Sequence, residues 1–331
     1  MFAVLLVGAS CSRAPEAPSA SMAASSGAPA TRAPTRSGAI VAATRAGHET
    51  ARAASVPSTP SADAGAATPA PSAGTPCGGL GCTLYASPAE AFERALAERP
   101  LVLGVGEAHP LRGTERIEPA VRRFTRDFLP LLRGRASDLV VELLLPNAAC
   151  ETASTHARKQ QRVVTEHQAT SDQSDFVALG TAARAIGIRA HALEPTCDDL
   201  KRISAGGADV VETSLEIVTR LSRDALTRYF EANFLAKDPR MVVGYGGAMH
   251  NDVAPRPGRE AWSFGPAMTK LTRGRYVELD LIVPEFIEDT TAWRSFPWFS
   301  AFDPKAHPHE TTLFESSPGA FALVFSAQAS P

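Results

Sequence analysis

Leu101-Val102-Leu103-Gly104-Val105-Gly106-Glu107-Ala108-His109 and Met241-Val242-Val243-Gly244-Tyr245-Gly246-Gly247-Ala248-Met249-His250 follow one plan, a short apolar run that gives out into Gly-x-x-His. Runs of that length and composition predict buried strands. In an open parallel α/β sheet, ligands bind in the crevice outside the carboxyl ends of the strands. Two histidines placed just past strand ends can therefore share a crevice although 141 positions separate them.

The flanking pattern agrees with such a sheet. Ser87-Pro88-Ala89-Glu90 is a capping box with Pro at the first helical position, which predicts a helix to about Glu98. Val121, Phe124, Phe128 and Leu132 recur at helical spacing and predict a helix over 118–132. The run 139–143 reads as the next strand, a polar stretch over 151–175 carries no assigned element, and 176–186 reads as a helix. A strand over 188–193, a helix over 209–234, a helix over 265–271 and strands over 276–283 and 320–326 complete the pattern. Alternating strands and helices predict an α/β fold, with a largely parallel central sheet flanked by helices in a single globular domain.

Composition confines that domain to about 83–328. From Ala3 to Leu84 there is no aromatic residue, and 12–76 is rich in Ala, Pro, Ser, Thr and Gly. Such a segment buries too little apolar surface to offset the entropy of ordering it, and it reads as a disordered tether. A net charge of −2 without a clustered basic stretch argues against a nucleic-acid partner. Met1 to Ser10 is apolar and ends in Gly8-Ala9-Ser10 before Cys11, an order that resembles a bacterial lipoprotein signal, although no basic residue precedes the apolar run. It implies a lipid anchor on Cys11 and a place in the cell envelope, at the outer membrane or facing the periplasm. Setting Cys11 aside, four cysteines remain, an even number suited to two disulfides in an oxidising compartment. Cys77 and Cys82 enclose a flexible Gly-Gly-Leu-Gly ring, which leaves Cys150 for Cys197. A zinc site ranks lower, because these spacings match no common finger or ribbon.

Four expected strand ends carry acid or imidazole groups: Glu107 with His109, Glu142, Glu194, and His250. Glu142 interrupts an apolar run, where a carboxylate is costly to bury unless it is paired, hydrogen-bonded or metal-bound. Gly106, Gly246, Gly247 and Ala248 leave room for close approach to a ligand. Tyr245 is a candidate phenol ligand or proton donor. His109, His250, Glu142 and Glu194 suit a divalent ion such as Mn, Co or Zn with an open position for water. Without a metal, His109 draws a proton from water while Glu107 or Glu142 orients it. His307, His309 and Glu310 lie in a Pro-containing loop and read as structural.

The run Leu103 to His109, then Gly113-Thr114-Glu115, a helix and a strand ending in Glu142, resembles the opening of the erythromycin-esterase and ChaN-like haem-uptake superfamily. Paired Gly-x-x-His motifs with an intervening strand-end Glu are also similar to the related TraB and Tiki proteins. The resemblance covers about 101–252. It implies that Glu107, His109, Glu142 and His250 form the functional set, and that the protein is either a metal-dependent esterase or peptidase or a haem- or iron-binding lipoprotein. The esterases place a Thr between the Ala and the His of the first motif and this chain does not, so macrolide hydrolysis is not implied. The leading expectation is an exported, lipid-anchored, metal-dependent hydrolase acting on a small molecule or peptide. Haem binding in the same crevice, with histidine and Tyr245 as axial ligands, is the alternative.

Overall fold

A computed structural model of the chain describes residues 74–165, 168–169, 172–207 and 209–327. Cys11 and almost all of the expected tether lie outside the described residues. Thr75 and Pro76, expected within the tether, instead pair with Leu84 and Thr83.

The fold is built on one nine-stranded sheet: β1 (Thr75–Pro76), β2 (Thr83–Tyr85), β3 (Val102–Glu107), β4 (Ala136–Leu144), β5 (Arg189–Leu193), β6 (Met241–Gly247), β7 (Tyr276–Ile282), β8 (Thr311–Ser317) and β9 (Ala320–Val324), in the order β1-β2-β8-β9-β7-β3-β6-β4-β5. The six strands from β9 to β5 run parallel, and the first three of the order form an antiparallel edge. The two motif strands are direct neighbours: β3 pairs with β6 so that Gly106 stands opposite Gly246 and Glu107 opposite Gly247. Both ladder partners of β3 are parallel strands, so its six residues are all buried, as a central strand covered on both faces requires.

Helices cover both faces. α1 (Pro88–Leu96) starts where Ser87 accepts a hydrogen bond from the Glu90 amide, and it buries Ala91, Phe92, Ala95 and Leu96. The predicted helix over 118–132 is not continuous. It opens as α2 (Ala120–Arg123), widens into a π turn at Phe124–Phe128 and tightens to a 3-10 turn at Leu129–Leu132, where Pro130 supplies no amide hydrogen. The polar stretch without an assigned element contains α3 (Glu151–Val164), and α4 (Asp172–Ala185) begins earlier than its apolar residues suggest. α5 (Cys197–Ser204), absent from the sequence reading, starts at a capping box in which Thr196 and Asp199 bond each other's amides. α6 (Val210–Ala236) and α7 (Gly265–Leu271) follow as expected. Among the described residues no helix is long and apolar enough to cross a membrane.

Strand alternation sorts the core into two layers. Leu103, Val105, Tyr245, Val141 and Leu279 pack with Phe92, Phe124 and Phe128 on one face, while Val102, Val140, Val242 and Tyr276 pack with Leu226, Phe264 and Met268 on the other. At the amino end of the sheet, Arg189 and His191 of β5 both bond the buried Asp138 of β4. Burial opposes the ionised carboxyl, but the His191 and Arg189 hydrogen bonds outweigh it and hold Asp138 well below the usual carboxylate range.

Both expected disulfides are present, Cys77 with Cys82 and Cys150 with Cys197, the latter with Cα atoms 5.6 Å apart. The second ties the residue before α3 to the first residue of α5 and closes a loop of sequence separation 47. Replacing Cys150 and Cys197 together by Ser should lower stability by about 2–4 kcal/mol. Urea unfolding followed by circular dichroism measures this, and an unchanged midpoint would show that the link carries no stability.

Candidate functional site

The register of β3 on β6 brings the two motifs together at the carboxyl edge of the sheet. A Cβ placed on Gly247 would stand 3.1 Å from His109 Nε2, 3.7 Å from Glu142 Oε2 and 3.8 Å from His250 Cδ2. Three of the expected site residues, supplied by three parts of the chain, thus surround one backbone position, where a Cβ would crowd His109.

Each group is held by its own layer. On the Phe-rich face, Glu107 has no exposed surface. Its Oε1 lies 3.0 Å from His109 Nδ1, and its Oε2 accepts the Tyr245 hydroxyl at 2.5 Å. The Tyr245 ring is wedged between Phe124 and Phe176, at centroid distances of 4.8 and 5.8 Å. The sequence expectation for Tyr245 as an axial ligand or substrate donor is therefore replaced by another role: its hydroxyl orients Glu107. Glu107 in turn is no ligand but the partner of the histidine, in the arrangement by which a buried carboxylate fixes an imidazole's tautomer and angle. An ionised Glu107 would take its hydrogen bond from Nδ1–H of His109.

On the other face, His250 is 2 % exposed, and its Nδ1 lies 2.8 Å from Thr219 Oγ1 and 2.9 Å from the Trp262 carbonyl oxygen. A carbonyl has no proton to give, so Nδ1 donates there, and the hydroxyl of Thr219 also donates to the Trp262 oxygen. His250 Nε2 is buried and without a hydrogen-bond partner among the described residues. Glu142 Oε1 lies 3.6 Å from it, while Glu142 Oε2 accepts the Gly247 amide at 2.7 Å. A cavity of about 10 Å³, lined by Glu142, His250 and Asn251 among others, adjoins the pair and is the size of one water.

A larger cavity of about 330 Å³ opens on the other side of Glu142. His109 and Glu142 line it together with Leu143, Leu144, Phe176 and Val218. Tyr245 is not among its lining residues. Glu194, expected as a fourth ligand, is exposed at the end of β5 and lines neither cavity, and neither do His307 and His309. Among the described residues no group of three or more His, Cys, Asp and Glu side chains is placed to hold a metal ion. Of the four expected ligands, Glu194 is turned to solvent, away from His109, Glu142 and His250. The Tyr245 hydroxyl, bonded to Glu107, is not placed to serve as an axial haem ligand.

A second cluster lies under the same strand ends. Glu278 and Asp280 point from β7 to the face that carries Asn251 and Asp252. Asn251 Nδ2 donates to Asp280 Oδ1 at 3.1 Å and to the Gly104 oxygen at 3.3 Å, while the Tyr276 hydroxyl donates to the Asn251 carbonyl at 2.6 Å. A Cβ on Gly106 would stand 2.6 Å from Asn251 Oδ1, from Asp280 Oδ1 and from the Ala248 Cα, so Gly106 is required by close approach rather than by its dihedral angles. The sequence signal for the cluster is of the kind that marks Glu142, a carboxylate set in an otherwise apolar strand, here twice at a spacing of two.

Neither a family model nor a curated protein matches the sequence. Two solved structures are similar over most of the chain. The type III effector HopBA1 is 11% identical with a TM-score of 0.38, covering 73% of this chain and 94% of its own. A protein from Bacillus cereus is 9% identical with a TM-score of 0.35, covering 72% and 91%.

Burial pushes the Asp280 carboxyl up to about 7, against the lowering effect of the Asn251 hydrogen bond. An acid whose folded value is raised holds a proton that the unfolded chain has already released. Its contribution is thus greatest below about pH 4 and is lost as pH rises toward about 7. Asp280→Asn, which cannot ionise, should remove this part of the decline, an effect of a few kcal/mol. Denaturant unfolding at pH 4.5, 6 and 7.5 reads it, and an identical pH slope in the variant would show that Asp280 is not the group responsible.

Proposed function

We propose that the protein is a hydrolase of a small ester or amide in which His109 acts as general base toward water. The observation that carries this reading is the buried chain Tyr245–Glu107–His109, ending at the wall of the 330 Å³ cavity. A water beside His109 Nε2 gives its proton to that nitrogen as its oxygen bonds to the substrate carbonyl carbon, and the carbonyl electrons move to oxygen. Collapse of the tetrahedral species expels the alcohol or amine, which takes the proton back from His109. The ionised Glu107 stabilises the imidazolium that exists between the two transfers, and Tyr245 keeps that carboxylate aimed. Glu142 and His250 border the same point from the other layer and hold the water-sized cavity behind the reacting groups.

As to location, the exported, lipid-anchored form remains our reading. Two disulfides support an oxidising compartment.

Purified full-length protein should hydrolyse some member of a panel of p-nitrophenyl esters and short peptides. His109→Ala and Glu107→Gln should each lower kcat by about 10²–10⁴-fold, the span typical of general-base catalysis. Tyr245→Phe should lower it less. Hydrolysis that persists at the full rate in His109→Ala, or a wild-type protein inert on the whole panel, would end the proposal. Treatment with a chelator should leave the rate unchanged. A rate abolished by chelation and restored by Zn, Mn or Co would overturn the metal-free route and return the metal expected from the sequence.

A further inference from the structure

The large cavity has a chemical direction. Its floor is set by His109, 3 % exposed, and by Glu142. Its walls are Leu143, Leu144, Leu145, Pro146, Phe176 and Val218, an apolar band that continues to the outside, where Leu145 is 41% exposed. Opposite the sheet, α3 turns Arg158 and Gln161 toward the same space, and Gln168 and Gln173 complete the polar rim. Arg158 is exposed and has no ion-pair partner among the described residues, whereas Arg122, Arg126, Arg189 and Arg220 are each paired with an acid. An unpaired guanidinium over an apolar channel, with a carboxylate at the channel's far end, selects both the composition and the orientation of a guest. A negative group is repelled by Glu142 at the floor and attracted by Arg158 at the mouth, and the aliphatic band between them favours hydrocarbon.

We infer that the substrate is an aliphatic acyl compound carrying a carboxylate at the end remote from its scissile carbonyl, with that carboxylate bound by Arg158 and the acyl chain lying along Leu143–Leu145. This rests on the hydrolase reading for the chemistry, but the binding it describes does not require turnover. A guanidinium matches a carboxylate with two parallel N–H donors, so Arg158 is a specificity-determining residue and lysine is a poor substitute. The glutamine amides at the rim can donate to the same oxygens.

Two measurements on the full chain test this. In the first, p-nitrophenyl hydrogen suberate is compared with p-nitrophenyl octanoate, which has the same chain length without the charge. Wild type should prefer the charged ester by about 10- to 100-fold in kcat/KM, as expected for hydrogen bonds to a charged group. Arg158→Ala should erase that preference by raising KM for the charged ester about 10- to 100-fold more than for the octanoate, and Arg158→Lys should restore it only in part. Equal use of both esters by wild type, or an Arg158→Ala loss shared by both, would overturn the inference. In the second, titration calorimetry follows monomethyl suberate binding to His109→Ala and to the His109→Ala, Arg158→Ala double variant, neither of which turns over. Binding to the first that is lost in the second supports Arg158 as the carboxylate anchor even if neither ester is hydrolysed, an outcome that would count against the hydrolase reading alone. Binding to neither, or equally to both, would overturn it.

Discussion

A carboxylate with no exposed surface at the end of a central strand is the constraint around which this site is organised. Glu107 left unpaired in that position would cost several kcal/mol, so its neighbours must satisfy it. They do so with one hydroxyl and one imidazole, and each of those has to be placed by something else. Tyr245 reaches Glu107 because β6 lies beside β3 in the stated register and because Phe124 and Phe176 fix its ring. His109, two positions past Glu107, reaches it just beyond the end of β3. The histidine is therefore oriented by the requirement to bury an acid, and its second nitrogen is directed to the sheet edge as a consequence.

The sheet edge is also the one place where the two core layers meet. Along β3 and β6 alternate residues serve opposite faces, so Glu107 and Tyr245 belong to the Phe-rich layer and cannot contact the groups packed under α6 and α7. Past Gly247 the strand ends and the separation ends with it. His250, held by Thr219 of α6 and the carbonyl of Trp262, and Glu142, held by the Gly247 amide, arrive at that edge from the other layer. Gly106 and Gly246, opposite each other in the ladder, are small for a like reason: a Cβ on the first would meet Ala248, Asn251 and Asp280, and one on the second would meet Glu142. The site is thus a product of sheet register and side-chain absence as much as of the acids and imidazoles themselves.

That explains which parts were legible in the sequence. Apolar runs of five or so residues ending in Gly-x-x-His marked β3 and β6, and a lone Glu in an apolar run marked Glu142, because burial leaves a compositional trace. The adjacency of β3 and β6 left none, since strand order depends on crossovers that no local pattern records. Tyr245 was visible as a residue of interest but its role was not, because a phenol that serves a buried acid and one that serves a ligand have the same sequence context. Glu194 shows the converse: a strand-end acid whose side chain turns to solvent reads like one that turns inward. The helix at 118–132 had the right apolar spacing, yet Pro130 and the local π turn divide it. β8 left little trace because only Leu313 and Phe314 of its four buried residues are apolar, and the edge strands because they are only two or three residues long. The acidic pair Glu278 and Asp280 carried the same signal as Glu142 and could have been taken from β7 on that ground alone.

The disulfide between Cys150 and Cys197 connects stability to the cavity. α3 carries Arg158 and Gln161 toward the cavity, and it is a polar helix that packs on α5 and α6 through Ala153 and Ala157, which meet Leu200, Ile203, Ile217 and Leu221. Tying its first turn to the start of α5, itself fixed by the Thr196–Asp199 capping box and the Asp199–Arg220 ion pair to α6, anchors the end nearest the sheet. The mouth of the cavity is then positioned by a covalent link made at its far wall, while the floor is positioned by the sheet. Reduction should loosen the first without disturbing the second, so the Tyr245–Glu107–His109 chain would persist in a protein whose cavity wall had become mobile.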